Sequence, residues 1–188
     1  AIGYEAGNSN QVQHSIAIGD EAGKTDQGQN GQNTGDCTIA IGMEAGMTSQ
    51  EKQAVAIGLR AGTTSQGTLA VALGRYAGNT NQGEYAIAIG KDAQLGTSGT
   101  SGNYAISIGS EAGRTDSGLR SIAIGTQTGY ANQGEDAIAL GYLAGHTNQG
   151  ANSIVLNASG SHLHGTTASA FFVRPIRNTA GTTFLQYN

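Results

Sequence analysis

Ser15-Ile16-Ala17-Ile18-Gly19-Asp20-Glu21-Ala22-Gly23-Lys24-Thr25-Asp26-Gln27-Gly28 is one complete copy of a pattern, S-I-A-I-G-x-x-A-G-x-T-x-Q-G, that recurs along most of the chain. Its marker glycine falls at Gly3, Gly19, Gly42, Gly58, Gly74, Gly90, Gly109, Gly125 and Gly141, and Asn157 takes that slot in the tenth copy. The spacings are 16, 23, 16, 16, 16, 19, 16, 16 and 16 residues. A fixed short period with two longer exceptions identifies a solenoid, one small unit stacked on itself. A rod whose surface repeats is suited to a spacer or a binding surface.

Within the unit, side-chain alternation separates Ile16 and Ile18 from Ala17. The same pattern recurs at Ile39/Ile41, Val55/Ile57, Val71/Leu73, Ile87/Ile89, Ile106/Ile108, Ile122/Ile124, Ile138/Leu140 and Ile154/Leu156. Branched residues suit a buried pleated surface, so Ile16, Ile18, Ile39, Ile41, Ile57, Ile87, Ile89, Ile122 and Ile124 are expected as interior ladders. The Gly-x-x-Ala-Gly that follows supplies turns, with Ala22, Ala45, Ala61, Ala77, Ala112 and Ala144 small enough to point inward. Thr-x-Gln-Gly then makes a second short segment and a further turn. Ten such coils at ~4.8 Å each form a rod of roughly 50 Å.

The other face of the Ile strand reads Ala17, Ala40, Ala56, Ala72, Ala88, Ser107, Ala123, Ala139 and Val155. A solvent face would carry larger polar residues. The column of small residues is therefore expected to meet another backbone, in a homo-oligomer packed around a symmetry axis through Ala17, Ala40, Ala56, Ala72, Ala88, Ala123 and Ala139. The alternative is a monomer with a flat Ala-rich face. The two long coils carry their extra residues at Gln27 to Asp36 and Leu95 to Asn103, expected as surface loops on an unbroken stack.

Composition narrows the function. Gly is 31 of 188 residues, Pro is 1, Trp is absent and 12% of residues are charged. The glycines do not fall at every third position, which excludes collagen. Periodic Ala and Ile exclude a disordered tract. A net charge of -4 without a basic stripe argues against nucleic-acid binding. Apolar runs of about five residues are too short for membrane insertion. Cys37, the only cysteine, has no intrachain partner.

The S-I-A-I-G-x-x-A element, carried best by Ser15 to Ala22, Thr38 to Ala45, Ala86 to Ala93 and Ser121 to Gly125, resembles the YadA-like head repeat of trimeric autotransporter adhesins. The resemblance spans residues 1–157. It implies an all-β, left-handed parallel β-roll, three chains around one axis and adhesion to a host surface. The regular 16-residue unit is most similar to repeats in structural proteins of large algal viruses and in phage tail fibres. Residues 158–188 shift in composition and hold Phe171, Phe172, Phe184 and Pro175. They look like the segment joining such repeats to a self-cleaving trimerisation chaperone downstream, and are expected as a cap and stem. The function implied is the structural and receptor-binding part of a virion fibre, outside the cell, with copies of itself and a host glycan or wall component as partners. A bacterial adhesin head is the alternative.

Other motifs carry less. Gly19 to Thr25 has three residues between its glycines, where a phosphate-binding loop needs four. Asp20, Glu21, Glu44, Asp92 and Glu111 occupy turn positions that elsewhere hold Arg, Leu, Tyr or Thr, so they read as a solvated edge and no catalytic residue is expected. Thr25, Thr48, Thr64, Thr80, Thr115 and Thr147 form a column of the kind used for ice binding, but it is broken at Gly96 and Ala131. Asn157-Ala158-Ser159 is a glycosylation sequon. His162 and His164, at i and i+2, share one face of an extended segment. In a trimer they would offer six imidazole nitrogens to an axial transition metal, the one cofactor the sequence suggests. Exposed histidines in a Ser/Gly-rich connection are the ordinary alternative.

Overall fold

A computed structural model describes residues 1–28, 37–96 and 102–176. Among them there is no helix, and parallel strands stack as a β-solenoid of about eight turns. The strands are β1 (Ile16–Ile18), β2 (Ile39–Ile41), β3 (Thr48–Gln50), β4 (Val55–Ile57), β5 (Thr64–Gln66), β6 (Val71–Leu73), β7 (Ile87–Ile89), β8 (Ile106–Ile108), β9 (Ile122–Ile124), β10 (Ile138–Leu140), β11 (Ile154–Asn157) and β12 (Phe171–Arg174). All but β3 and β5 form one ten-stranded sheet in chain order. Register follows the repeat, so Ala40 meets Ala56 and Ile41 meets Ile57. The Thr-x-Gln segments stack as a second wall: β3 pairs with β5, and single bridges join Thr25 to Thr48, Thr64 to Thr80, Thr115 to Ala131 and Ala131 to Thr147.

Strand N–H groups donate to the following coil, as Ile39 N donates to Ala54 O at 3.0 Å. Left-handed corner residues such as Arg60 turn their N–H to the preceding coil: Arg60, at φ 55°, donates to Met43 O at 2.9 Å. Alternating donor direction satisfies the backbone on both sides of each coil, which offsets the cost of holding non-glycine residues in the left-handed region.

The facing of the strand is the reverse of that expected from its sequence. Ala17, Ala40, Ala56, Ala72, Ala88, Ala123 and Ala139 are fully buried inside the coil of a single chain. They pack on the turn alanines Ala22, Ala45, Ala61, Ala77 and their equivalents. They are interior residues, and do not form an interface between chains. The Ile set, taken as the core, lies on the outer face: Ile16 is 43% exposed, Ile18 38% and Ile124 40%, and Ile39, Ile41, Ile57, Ile87, Ile89 and Ile122 are half-buried. The reason is space. A Cβ placed on Gly46, where φ is +53°, would lie 2.8 Å from Gln50 Oε1 and 3.2 Å from Ala40 Cβ. The turn rests on the strand, and at Ala40 there is room between them for a methyl group and little more.

Glutamine fills the rest of the interior. Gln50 Nε2 donates to Ile39 O at 2.9 Å, tying the second wall to the sheet, and to Gln66 Oε1 at 3.0 Å in the next coil. The step repeats from Gln11 to Gln27, Gln27 to Gln50, Gln66 to Gln82 and Gln82 to Gln94. Gln27, expected at the start of a loop, is a fully buried member of this ladder. The remainder of that loop, 29–36, and residues 97–101 of the other lie outside the described residues.

The boundary expected after Asn157 is not a break in the sheet. β12 pairs with β11 in parallel register, Ile154 opposite Phe171, one residue longer than the standard spacing. Leu163 N donates to Leu143 O at 3.2 Å and Gly145 N to Leu163 O at 2.7 Å, so 158–174 continues the stack. Residues 177–188, the rest of the expected stem, lie outside the described residues.

Two substitutions separate the interior from the outer face. Ala72→Leu is expected to lower the unfolding free energy by about 1–3 kcal/mol or more through overpacking. Ile57→Ala, on the half-exposed face, is expected to cost less than Ala72→Leu in urea unfolding of the isolated chain. Equal losses, or a larger loss for Ile57→Ala, would mean the outer face is buried within one chain.

Candidate recognition surface and the edges of the rod

The corners of each coil hold the variable side chains. One corner precedes the sheet strand and is left-handed throughout, with Leu69, Tyr85, Tyr104, Arg120 and Asp136 stacked in order. Tyr85 and Tyr104 are 44% and 53% exposed, and their rings stack at 4.9 Å and 3°. Next to them lies a shallow depression of about 280 Å³ lined by Glu51, Ser65, Asn81, Gln82, Glu84 and Asn103, with Gly67 and Gly83 at its base. Asn103 Oδ1 accepts from Glu84 N at 3.0 Å, and Glu51 accepts from Thr68 Oγ1 at 2.6 Å. Carboxylates, amides and a hydroxyl beside an exposed aromatic pair can hydrogen-bond a polyol and cover an apolar ring face. The repeat pattern does not single out these residues. Tyr85 and Tyr104, each two residues before an Ile-x-Ile pair, are the available signal.

The opposite corner is laced by charge. Lys24 bridges Glu5 at 2.5 Å and Glu21 at 2.9 Å. Its ammonium pKa is raised by hydrogen bonds to Glu5 and Glu21. A lysine so paired is not presented to a phosphate. Glu44 pairs with Arg60 at 2.9 Å, and Lys91 with Asp92 at 2.8 Å and Glu111 at 3.4 Å. Gln127 also donates to Glu111 at 3.1 Å, and hydrogen bonding and charge hold that carboxyl below its ordinary range. These acids are paired with cations of their own coil, as in Lys24 with Glu21, or of the adjacent one, as in Arg60 with Glu44. Such exposed pairs contribute little to stability. Asp20 adds a turn carbonyl, accepting from Glu44 N at 2.8 Å.

The sequon asparagine is structural. Asn157 is 5% exposed, and its Nδ2 donates to Tyr142 O at 2.7 Å and Ser161 O at 2.6 Å. Both amide hydrogens are engaged, which leaves none for a glycosyl bond in the folded chain.

His162 and His164 are exposed, while Leu163 between them packs on the core. Their rings stack at 5.5 Å and 5°. They extend an edge column made by Arg114, Tyr130 and His146, in which Tyr130 stacks on His146 at 5.0 Å and His162 meets His146 edge-on at 4.5 Å. Thr147 Oγ1 lies 2.9 Å from His164 Nδ1. The sequence did not single out His146 as their neighbour. Parallel rings do not converge on one point, and no group of three His, Cys, Asp or Glu among the described residues is placed to hold a metal. The two histidines share a face as expected, but it is the face of this edge column, and a single chain supplies no ligand set for the axial metal.

Among the described residues no helix is long and apolar enough to cross a membrane. Comparison with known proteins found no matching family model, no matching curated protein and no matching solved structure.

Burial, then the charges of His162 and His164, push the His146 imidazole below its ordinary pKa. The unfolded chain therefore binds the proton more readily. The stability involved is fully present above the ordinary histidine pKa of about 6.5 and is lost as pH falls through the lower folded value. The unfolding temperature should fall between pH 7.5 and pH 5, with fraying at the coils around His146. His146→Gln should flatten that fall in a thermal melt followed by circular dichroism.

Proposed function

We propose that this chain is the structural and receptor-binding shaft of a trimeric virion fibre that attaches to a host-cell surface. The observation that carries this reading is the pair of half-exposed aliphatic columns along the ten-stranded sheet, Ile16/Ile18 through Ile154/Leu156. At ~4.8 Å per strand and ~10 Å per three-residue strand, that face covers on the order of 450 Å². A continuous apolar face of this extent matches the largest patch that a single chain ordinarily exposes, and such patches are often functional. Further copies of the chain suit it, because identical columns parallel to the rod meet themselves about an axis along the rod. The resemblance of the S-I-A-I-G-x-x-A units supplies the number three, the left-handed roll of about ten coils and the place outside the cell. The interface assigned here is the Ile face, in place of the Ala column.

The function is mechanical display with recognition of a host glycan or wall component. The depression beside Tyr85 and Tyr104 is the best candidate for that recognition. Charge-paired turn carboxylates support a non-enzymatic reading, and neither nucleic acid nor a membrane has a part in it. The head of a bacterial trimeric adhesin is the second reading, favoured by the same repeat units. A polysaccharide-degrading solenoid would need a clustered acid pair. An ice-binding one would need its threonine column to continue through Ala131.

Sedimentation equilibrium of the chain should return a trimer, and Ile57→Glu with Ile124→Glu should return a monomer that keeps the strand signal in circular dichroism. A wild-type monomer would overturn the assembly. On a glycan array, Tyr104→Ala and Asn103→Ala should each weaken whatever binding the wild type shows by about tenfold. Undiminished binding would move recognition away from this depression.

A further inference from the structure

The glutamine ladder is interrupted at one place, and the interruption is chemically specific. From Gln11 to Gln94 each Nε2 donates to the Oε1 of the next glutamine, and Gln133 donates to Gln149 at 3.4 Å. Between Gln94 and Gln133 the ladder position is Ser117. Its hydroxyl donates locally, to Gly113 O at 2.8 Å, and reaches neither neighbour. The same coil carries Ser107 in the column that is otherwise Ala up to Val155.

Four buried side-chain atoms have no hydrogen-bond partner among the described residues, and three belong to this interruption: Gln94 Nε2, Ser107 Oγ and Gln133 Oε1. Their residues are 0%, 1% and 3% exposed. Gln94 Nε2 is the donor that a glutamine at 117 would have received, and Gln133 Oε1 is the acceptor it would have served. Rotating either amide does not cure the mismatch. Gln94 Oε1 is already held by Gln82 Nε2 at 3.4 Å, and Gln133 Nε2 by Ile122 O at 2.9 Å.

We propose that this segment of the solenoid interior binds water, one or two molecules per chain, in a closed polar site between Gln94 and Gln133. A donor on one side, an acceptor on the other and an amphoteric hydroxyl between them make the two to four partners that a buried water needs. Space agrees. Serine for glutamine removes three heavy atoms, and serine for alanine at 107 restores one, so the coil is short by about two relative to its neighbours. The two hydroxyls lie together beside Gly113: a Cβ built there would lie 2.6 Å from Ser117 Oγ and closer still to Ser107 Oγ. At Gly129, one coil on, the same construction meets Gln133 Oε1 at 2.6 Å. The carbonyl of Ile106 also faces no ladder glutamine, whereas its equivalent Ile122 O accepts from Gln133. Water supplies hydrogens to such acceptors and receives one from Gln94. Without it, three buried polar groups within adjoining coils are left unpaired, which would make this the weakest part of the stack.

The site is tested on the whole chain in solution. NMR cross-relaxation between solvent and the Gln94 side-chain amide should reveal long-lived water. A high-resolution crystal structure should show ordered oxygen at ~2.7–3.2 Å from Gln94 Nε2 and Gln133 Oε1. Ser117→Gln combined with Ser107→Ala restores the ladder, and should abolish both signals and raise the unfolding temperature by a few degrees. Absence of long-lived water at Gln94 in the wild type overturns the proposal, as does its persistence in the double variant. If the double variant fails to fold, the wild-type measurements decide alone.

Discussion

Everything in this molecule follows from the narrowness of one coil. Sixteen residues close on themselves around an interior that admits alanine, a glutamine amide and nothing larger in the standard coils. Hydrophobic burial per coil is therefore small, and the stack is held mainly by hydrogen bonds running from coil to coil. The glutamine amide is what makes such an interior tenable. In the standard coils one Nε2, as in Gln66, serves a strand carbonyl of its own coil and the next glutamine at once, so polar groups are satisfied where there is little oil. Large apolar side chains, excluded from the inside, line the sheet's outer face.

That exclusion explains what was legible in the sequence and what was not. The period, the strand positions and the order of the sheet could be read from the marker glycines, and strands such as Val55–Ile57 and Ile122–Ile124 fall where the repeat puts them. The direction of the strand could not be read from alternation, which yields two sets without saying which is inside. Size was used to choose, and size misled. A second column was available: Thr38, Ala54, Ala70, Ala86, Ala105, Ser121, Ala137 and Ser153 are in phase with the buried alanines and are buried too. Two columns of small residues flanking Val55 and its equivalents mark the tight side of a coil.

The tail was missed for a different reason. Ser161 to Ala170 has neither Gly-x-x-Ala-Gly nor the ladder glutamine, so nothing in its composition announces another coil. Backbone pairing does not need those side chains: Gly150 N still finds Gly165 O at 3.0 Å, and Ser169 N finds Ala151 O at 2.9 Å. Phe172 replaces the small residue and packs with Val155 and Leu163, which closes the interior with bulk where the glutamines end. The recognition surface was illegible because corner residues obey no rule of the repeat. Tyr85 and Tyr104 become a pair only once coils of unequal length are brought into register.

Because each coil meets its neighbours through the same columns, the stack has no position that requires a particular neighbour. Exchange between misaligned copies of the coding DNA would add or delete sixteen codons and leave the columns of the standard coils in register. The number of coils is thus a heritable quantity that changes in whole steps without a new packing problem. A coil lengthened at a corner adds variety at the same level of the rod. Length and surface chemistry are in this way inherited separately, one in the number of coils and the other in what their corners carry.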